Sequence, residues 1–324
     1  MTSSDWQSTG REPQVFQTER PKDLFGVHAD LIAAELTPGE RLRYLLYAPV
    51  WEGSEAPFGI RSHPASRAVA VTEHRFILSE DRHTEGIAPS VQAIPFEQIL
   101  YVELGHALLL GWFAIRFIKE DVLCQTALLY NATGRHHFAA AVREYRALIS
   151  GRVGNGFPMA DQTLWTDVWS HTARYQEKEL KSLVIARERP VTLLHSGELW
   201  VTERHWRKNK LVCLTTAGIC VATDCGLLSV IDEPAQQPDM SSFGVNVSCI
   251  ALDAVQSAAL LERTSHTITL RFLRLTLGRN SAITHFDVPF AEESRMAAEC
   301  LVHYLAQADT VGTDACTSSG DSTR

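Results

Sequence analysis

Catalytic signatures are missing from this 324-residue chain. It has no HExxH, no Walker A loop and no GxSxG nucleophile elbow, which removes the zinc-protease, P-loop and α/β-hydrolase readings. Cys220 and Cys225 have no partner pair at Cys-x-x-Cys spacing and no histidine at finger spacing, so a structural zinc site is not indicated. His136 and His137 are adjacent and on a helix would point about 100° apart, a poor arrangement for one ion. The segment Gly151 to Gly156, GRVGNG, follows a helical stretch and leads into Pro158, so it reads as a linker and not a phosphate loop. No apolar run reaches the roughly 20 residues of a membrane helix. The nearest, Ala107 to Ile118, is short, contains Arg116 and reads as two strands meeting at Gly111. The N-terminal MTSSDWQSTGREPQ lacks the apolar core of a signal peptide. Basic residues are outnumbered, 30 against 38 acids, and the net charge of −8 excludes a chain built to wrap nucleic acid. The sequence therefore assigns no catalytic residue, no metal ligand and no cofactor.

What is present is a globular balance, 45% hydrophobic and 21% charged, able to fill real cores. Seven cysteines, an odd count scattered through apolar strands and the tail, fit reduced thiols and a cytoplasmic location. Residues 1–22 and 309–324 are polar without periodicity and are expected to be disordered. Asp23 to Leu36 has helical spacing and is stopped by Pro38-Gly39. Strands are predicted at Arg41 to Val50, Arg67 to Ser79 (a pair turning at Thr72 to Arg75), Ser90 to Glu103, Leu108 to Ile118 and Val122 to Tyr130. From His136 to Ile149 the period changes from two to about 3.6, with Phe138, Val142, Tyr145 and Ile149 on one helix face. Asp161 caps an expected amphipathic helix carrying Leu164, Trp165, Val168, Trp169 and Tyr175 as far as Leu183. The second half follows the same plan: Pro190 to Thr202, a charged loop at Glu203 to Lys210, two strands in Leu211 to Thr223, then Asn246 to Leu261, Thr267 to Leu277, Ala282 to Val288 and a helix from Glu292 to Ala306.

Four landmarks suggest a duplication. Val71-Thr72 matches Leu214-Thr215, Ala93-Ile94-Pro95 matches Cys249-Ile250-Ala251, Ala114 to Phe117 matches Thr269 to Phe272, and the helix led by Phe138 matches one led by Phe290. A period of roughly 150 residues means domain duplication and not a solenoid. The stretches RAVAVTEHRFILSED, VQAIPFEQILYVEL and FAIRF with its closing helix, and their counterparts KLVCLTTAGICVATD, VSCIALDAVQSAAL and HTITLRFL, resemble the pleckstrin-homology-like (PH-like) fold, in particular its GRAM and bacterial PH-like branch. The resemblance implies a mainly β chain with helices (α+β): two PH-like β-sandwich or barrel modules, each closed by a C-terminal helix and joined by an amphipathic helix. The expected boundaries are 23–151 for the first module, 152–185 for the linker and 186–308 for the second.

The sharpest local feature is ERHWRKNK, which sets Arg204, Arg207, Lys208 and Lys210 around Trp206. The resemblance implies that this loop could hold an anionic headgroup, with arginine giving bidentate phosphate contacts and tryptophan entering the interface. The competing reading is a solvated turn, and the acidic chain opposes membrane attraction. In the first half the matching loop offers only Arg61, His63 and Arg67, diluted by Glu52 and Glu55. Trp165 and Trp169 are either a partner-binding stripe or a brace between the modules. Glu97 and Asp253, an acid at the same place in each copy, read as structural because no second group for acid–base work can be named. The functional expectation is a non-enzymatic tandem binding or scaffold protein for a protein partner or an anionic lipid, without nucleic acid or a transmembrane segment; the lipid version adds peripheral membrane contact. The alternative is an enzyme with a site in the groove between the modules.

Overall fold

The computed structural model describes residues 14–82, 86–152, 165–204, 209–234, 244–265, 268–279 and 281–314. They form a mainly β structure with helices. Strands β1 (Phe16–Gln17), β2 (Leu42–Ala48), β5 (Ser66–Thr72), β6 (Arg75–Asp81) and β7 (Ser90–Pro95) make one antiparallel sheet in the order β1-β2-β5-β6-β7. A small hairpin of β3 (Glu55–Ala56) and β4 (Ile60–Arg61) lies between β2 and β5. Next come β8 (Ile99–Ala107), β9 (Leu110–Lys119), β10 (Val122–Asn131) and the helix Arg135–Ile149. We number this helix α2, after α1 (His28–Glu35).

The second half runs through α3 (Thr166–Ser170), α4 (Arg174–Lys181), β11 (Pro190–Ser196), the hairpin β12 (Leu199–Arg204) and β13 (Asn209–Thr215), then β14 (Gly218–Thr223), β15 (Gly226–Asp232) and β16 (Gly244–Ile250). It ends with β17 (Val255–Ser265), β18 (Ile268–Arg279), β19 (Ala282–Phe290) and α5 (Arg295–Asp314). The halves are not separate sheets side by side. A single seven-stranded sheet, β10-β9-β8-β16-β15-β14-β11, crosses from one to the other, and β17-β18-β19 form a third sheet. The crossing ladder pairs β8 with β16 from Tyr101 opposite Ile250 to Ala107 opposite Gly244.

Strand composition explains the layering. β5 is buried along its whole length. Its Val69 and Val71 enter the main core, while the small Ala68 and Ala70 face Ile32 of α1 on the other side of the sheet. α2 is likewise covered on more than one side: Phe138, Val142 and Tyr145 are buried, and so are Ala139, Ala140 and Arg146. The main core joins residues of the first half to Trp165, Val168, Leu180 and Leu183 of the linker and to Ile219, Val221, Val230 and Val247 of the second half. A second core lies between β17-β18-β19, α5 and the opposite face of the large sheet.

Several expectations need correcting. Residues 14–22 are ordered: Phe16 and Gln17 pair with Tyr47 and Leu46, and Val15 is buried. Two apolar residues inside a polar run are too few to show periodicity. The closing helix continues through Asp314, so 309–314 are not an irregular tail; their polar composition does not break a helix. The expected linker helix is two helices, α3 and α4. His171 Nδ1 and Thr172 Oγ1 bond the Asp167 and Val168 carbonyls, and such local bonds compete with continuation of a helix. The turn after β8 is Leu108-Leu109 and not Gly111, which lies under the Tyr130 ring. No helix among the described residues is long and apolar enough to cross a membrane.

The repeat is also out of register at three of its four landmarks. Thr72 Oγ1 accepts the His74 and Arg75 N–H groups (3.3 and 3.2 Å) at the β5–β6 turn. Its structural counterpart is Thr223, which accepts the Cys225 N–H (3.1 Å) at the β14–β15 turn, and not Thr215 at the end of β13. Phe117 opposite Ile99 corresponds to Leu277 opposite Val255, so Ala114–Phe117 matches Arg274–Leu277. Phe290 ends β19, and the buried position of Phe138 in its helix is taken by Ala298. Ala93-Ile94-Pro95 and Cys249-Ile250-Ala251 do correspond, each leading into a 3₁₀ turn.

The Leu108-Leu109 turn carries a local cost. A two-residue hairpin turn with positive φ at its first central position favours glycine or asparagine there, yet Leu108 has φ 54° and is 70% exposed. Leu108→Asn is expected to raise stability by about 1 kcal/mol in urea unfolding, by relieving the steric cost of leucine in the left-handed region.

Candidate functional site

A cleft of about 210 Å3 opens where the two halves meet, lined by Glu73, His74, Phe96, Glu97, Tyr145, Ile149, Ala251 and Asp253. Each wall has a local cause. The Thr72 hydroxyl fixes the turn that carries Glu73 and His74. The Phe96 N–H donates to the His74 carbonyl (2.9 Å), docking the 3₁₀ turn Phe96–Gln98 against it. Glu97 is central in that turn, and Asp253 is central in the corresponding turn Leu252–Ala254. Because β8 pairs with β16, the strands flanking these two turns lie side by side, and both acids reach one cleft.

Asp253 is held by Arg279, whose Nη2 lies 2.8 Å from Oδ1. Arg279 Nη1 also donates to the Asp253 carbonyl (2.9 Å), and Nη2 lies 3.4 Å from the Ile99 carbonyl of the first half. The cleft floor is apolar: Phe96 packs edge-on against Tyr145, with ring centroids 5.1 Å apart. Tyr145 is 1% exposed, yet its hydroxyl has no hydrogen-bond partner among the described residues. Burial, aided by the negative field of Asp253, pushes its pKa well above the ordinary phenol range. The group therefore stays a neutral phenol, able to donate one hydrogen bond and accept others. No group of three or more His, Cys, Asp or Glu side chains suited to a metal ion occurs among the described residues.

The residues singled out in the sequence lie elsewhere. Arg204 and Lys210 are on the β12–β13 hairpin, opposite Asn209 and Glu203, and Trp206, Arg207 and Lys208 lie outside the described residues. Of the basic residues in the first half, Arg67 is buried against Glu80 and Arg61 pairs with Glu55 on the surface. Trp165 is fully buried, donates from Nε1 to the Glu188 carbonyl (2.9 Å) and stacks on Trp169 at 4.9 Å. Lys181 Nζ lies 5.0 Å from the Trp169 ring. Sequence reasoning noticed Glu97 and Asp253 but had no means of bringing them together, and it gave Tyr145 only a core role. The recurrence of an acid at one place in both copies was the available signal. Comparison with protein-family models and with curated proteins finds no match for this sequence.

Proposed function

We propose that this chain is a non-enzymatic tandem PH-like binding protein whose two modules form one rigid scaffold for a protein partner. The observation that carries the reading is the element order β-hairpin-β-β-β-3₁₀-β-β-β-3₁₀-α, run twice and joined by the β8–β16 ladder. Four strands, three further strands and a closing helix are what the family resemblance leads one to expect of each module. The shared core and the crossing sheet support a fixed orientation, so surfaces of both modules face a partner without the entropy cost of assembling them. The buried Trp165 and its stack with Trp169 support the brace role for the linker. A cytoplasmic location belongs to the same proposal.

A protein partner is preferred to a membrane because the chain has a net charge of −8 and anionic leaflets repel it. Anionic lipid remains the second reading, supported by the separate β12–β13 sheet with Arg204 and Lys210 near its tip. Photo-crosslinking in cells from benzoylphenylalanine at His74, with the exposed Met296 of α5 as the control surface, tests the choice. A discrete protein adduct from His74 alone is expected. The absence of an adduct, with sedimentation on phosphatidylcholine–phosphatidylserine vesicles that disappears on replacing Arg204, Arg207, Lys208 and Lys210 by alanine, would transfer the assignment to lipid.

A further inference from the structure

Among the described residues β7 and β17 each leave one edge unpaired, and we infer that these two edges join head to tail between copies of this chain, β17 of one copy adding to β7 of the next. The inference goes beyond the partner-binding reading and uses only the seam ladder and the repeat.

The seam shows what such an edge takes. β16 has β15 on one side and β8 on the other. β7, its counterpart in the first half, pairs with β6 alone, and β17, the counterpart of β8, pairs with β18 alone. Among the described residues neither strand makes a backbone hydrogen bond on its other side. Burial follows the pairing. β16 is buried along its whole length and β8 along most of it, whereas only Ile94 of β7 and Val255 of β17 are buried. Val91 packs in the core under α1, and Ala258 and Leu260 in the core under α5, so each helix covers a face of its sheet and not the edge. The first half therefore spends its β8 edge on the second half's β16, and the complementary pair of edges is left over on the same chain.

The two free edges match in detail. Ile250 corresponds to Ile94, and Ile99 to Val255, with the same numbering offset. The seam pairs from Ile250–Tyr101 to Asn246–Gly105 then translate into Ile94–Ser257, Ala93–Ala258, Gln92–Ala259, Val91–Leu260 and Ser90–Leu261. β8 and β17 also carry their register shift at the same place, after Ile99 and after Val255. The translated ladder sets Val91 against Leu260 and Ala93 against Ala258 on one face, apolar cross-strand pairs that stabilise neighbouring strands. Pro89 and Pro95 bound it and leave every N–H within it. Ser90–Pro95 and Val255–Leu261 contain no charged residue, although charged side chains are a usual means of keeping an exposed edge from pairing. Strand addition draws affinity from main-chain hydrogen bonds and specificity from alternate side chains. A second copy supplies both, in the register the chain already uses. Because the contact is heterologous it repeats from copy to copy, ending in a ring or a filament.

Sedimentation velocity of the full chain tests this. Species at two and more multiples of the chain mass are expected, growing with protein concentration. Gln92→Lys/Ala259→Lys sets like charges across one pair and should weaken association about tenfold. Gln92→Lys/Ala259→Glu makes the same pair attractive and should restore it, which separates a lost contact from a damaged fold. In a mixture of isotope-labelled and unlabelled chains, oxidised Gln92→Cys/Ala259→Cys should give disulfides joining position 92 of one copy to position 259 of another. A monomer at every concentration, or equal association in the two lysine variants, would overturn the inference. So would disulfides joining 92 to 92, 259 to 259, or 92 to 259 within one chain only.

Discussion

Glu188→Ala is expected to cost about 3–5 kcal/mol, the loss seen when one partner of a buried ion pair is removed. Glu188 is fully buried and Arg146 is 2% exposed. Arg146 Nη1 donates to Glu188 Oε2 (3.1 Å), and Nη2 pairs with Oε1. The Ile185 N–H (2.9 Å) and the Thr223 hydroxyl (2.6 Å) complete the carboxylate's shell. Arg146 belongs to α2 of the first half, Glu188 to the segment after α4, and Thr223 to the β14–β15 turn. Deleting the carboxylate leaves a guanidinium buried where those three parts meet. Urea unfolding followed by tryptophan fluorescence reads the cost, since Trp165 donates to the carbonyl of the same residue. Arg146→Leu/Glu188→Leu should cost far less than Glu188→Ala, because removing both charges also removes their desolvation. A Glu188→Ala loss below about 1 kcal/mol, the range of an exposed pair, would contradict this burial.

The sequence was most legible where a local pattern has a single structural solution. The short apolar run Ala68 to Val71, bounded by turn residues, and the change of period at His136 led to β5 and α2, because a run of that length buried on both faces fits a strand and a 3.6-residue period fits a helix. Register was less legible. LVCLTTAGICVATD holds two threonine-ended strands, and only the hydrogen bonds of Thr223 show that the second is the counterpart of Thr72. The first strand belongs to the β12–β13 hairpin, which is longer than its counterpart β3–β4, and the difference in length shifts the apparent repeat. Contacts between the halves were not legible at all. Nothing local to Tyr101–Ala107 names Gly244–Ile250 as its neighbour, because any antiparallel edge of suitable pattern could serve. The cleft depends on that pairing, which is why Glu97 and Asp253 looked structural when read one at a time.

Gly105→Val should break this seam, at about 3 kcal/mol, the upper part of the usual range for overpacking a filled site. A Cβ at Gly105 would lie 2.2 Å from Trp112 Cζ2 and 2.5 Å from the Val245 carbonyl oxygen. A side chain could give way, but the carbonyl belongs to β16, so the ladder itself must move. The same shift pulls on Trp112 Nε1, which donates to Asn246 Oδ1 (2.9 Å), and on Asn246 Nδ2, which donates to Glu103 Oε1 (3.0 Å). Those groups are buried, so losing their partners adds a desolvation cost to the steric one. Calorimetry and hydrogen exchange separate this from ordinary core damage. A chain unified by its crossing sheet should unfold in one transition, and the Gly105→Val chain in two, with amides of β8 and β16 exchanging faster. A single transition with an unchanged midpoint would mean that the halves are held together by the helical linker and α2, with the ladder a passive contact between them.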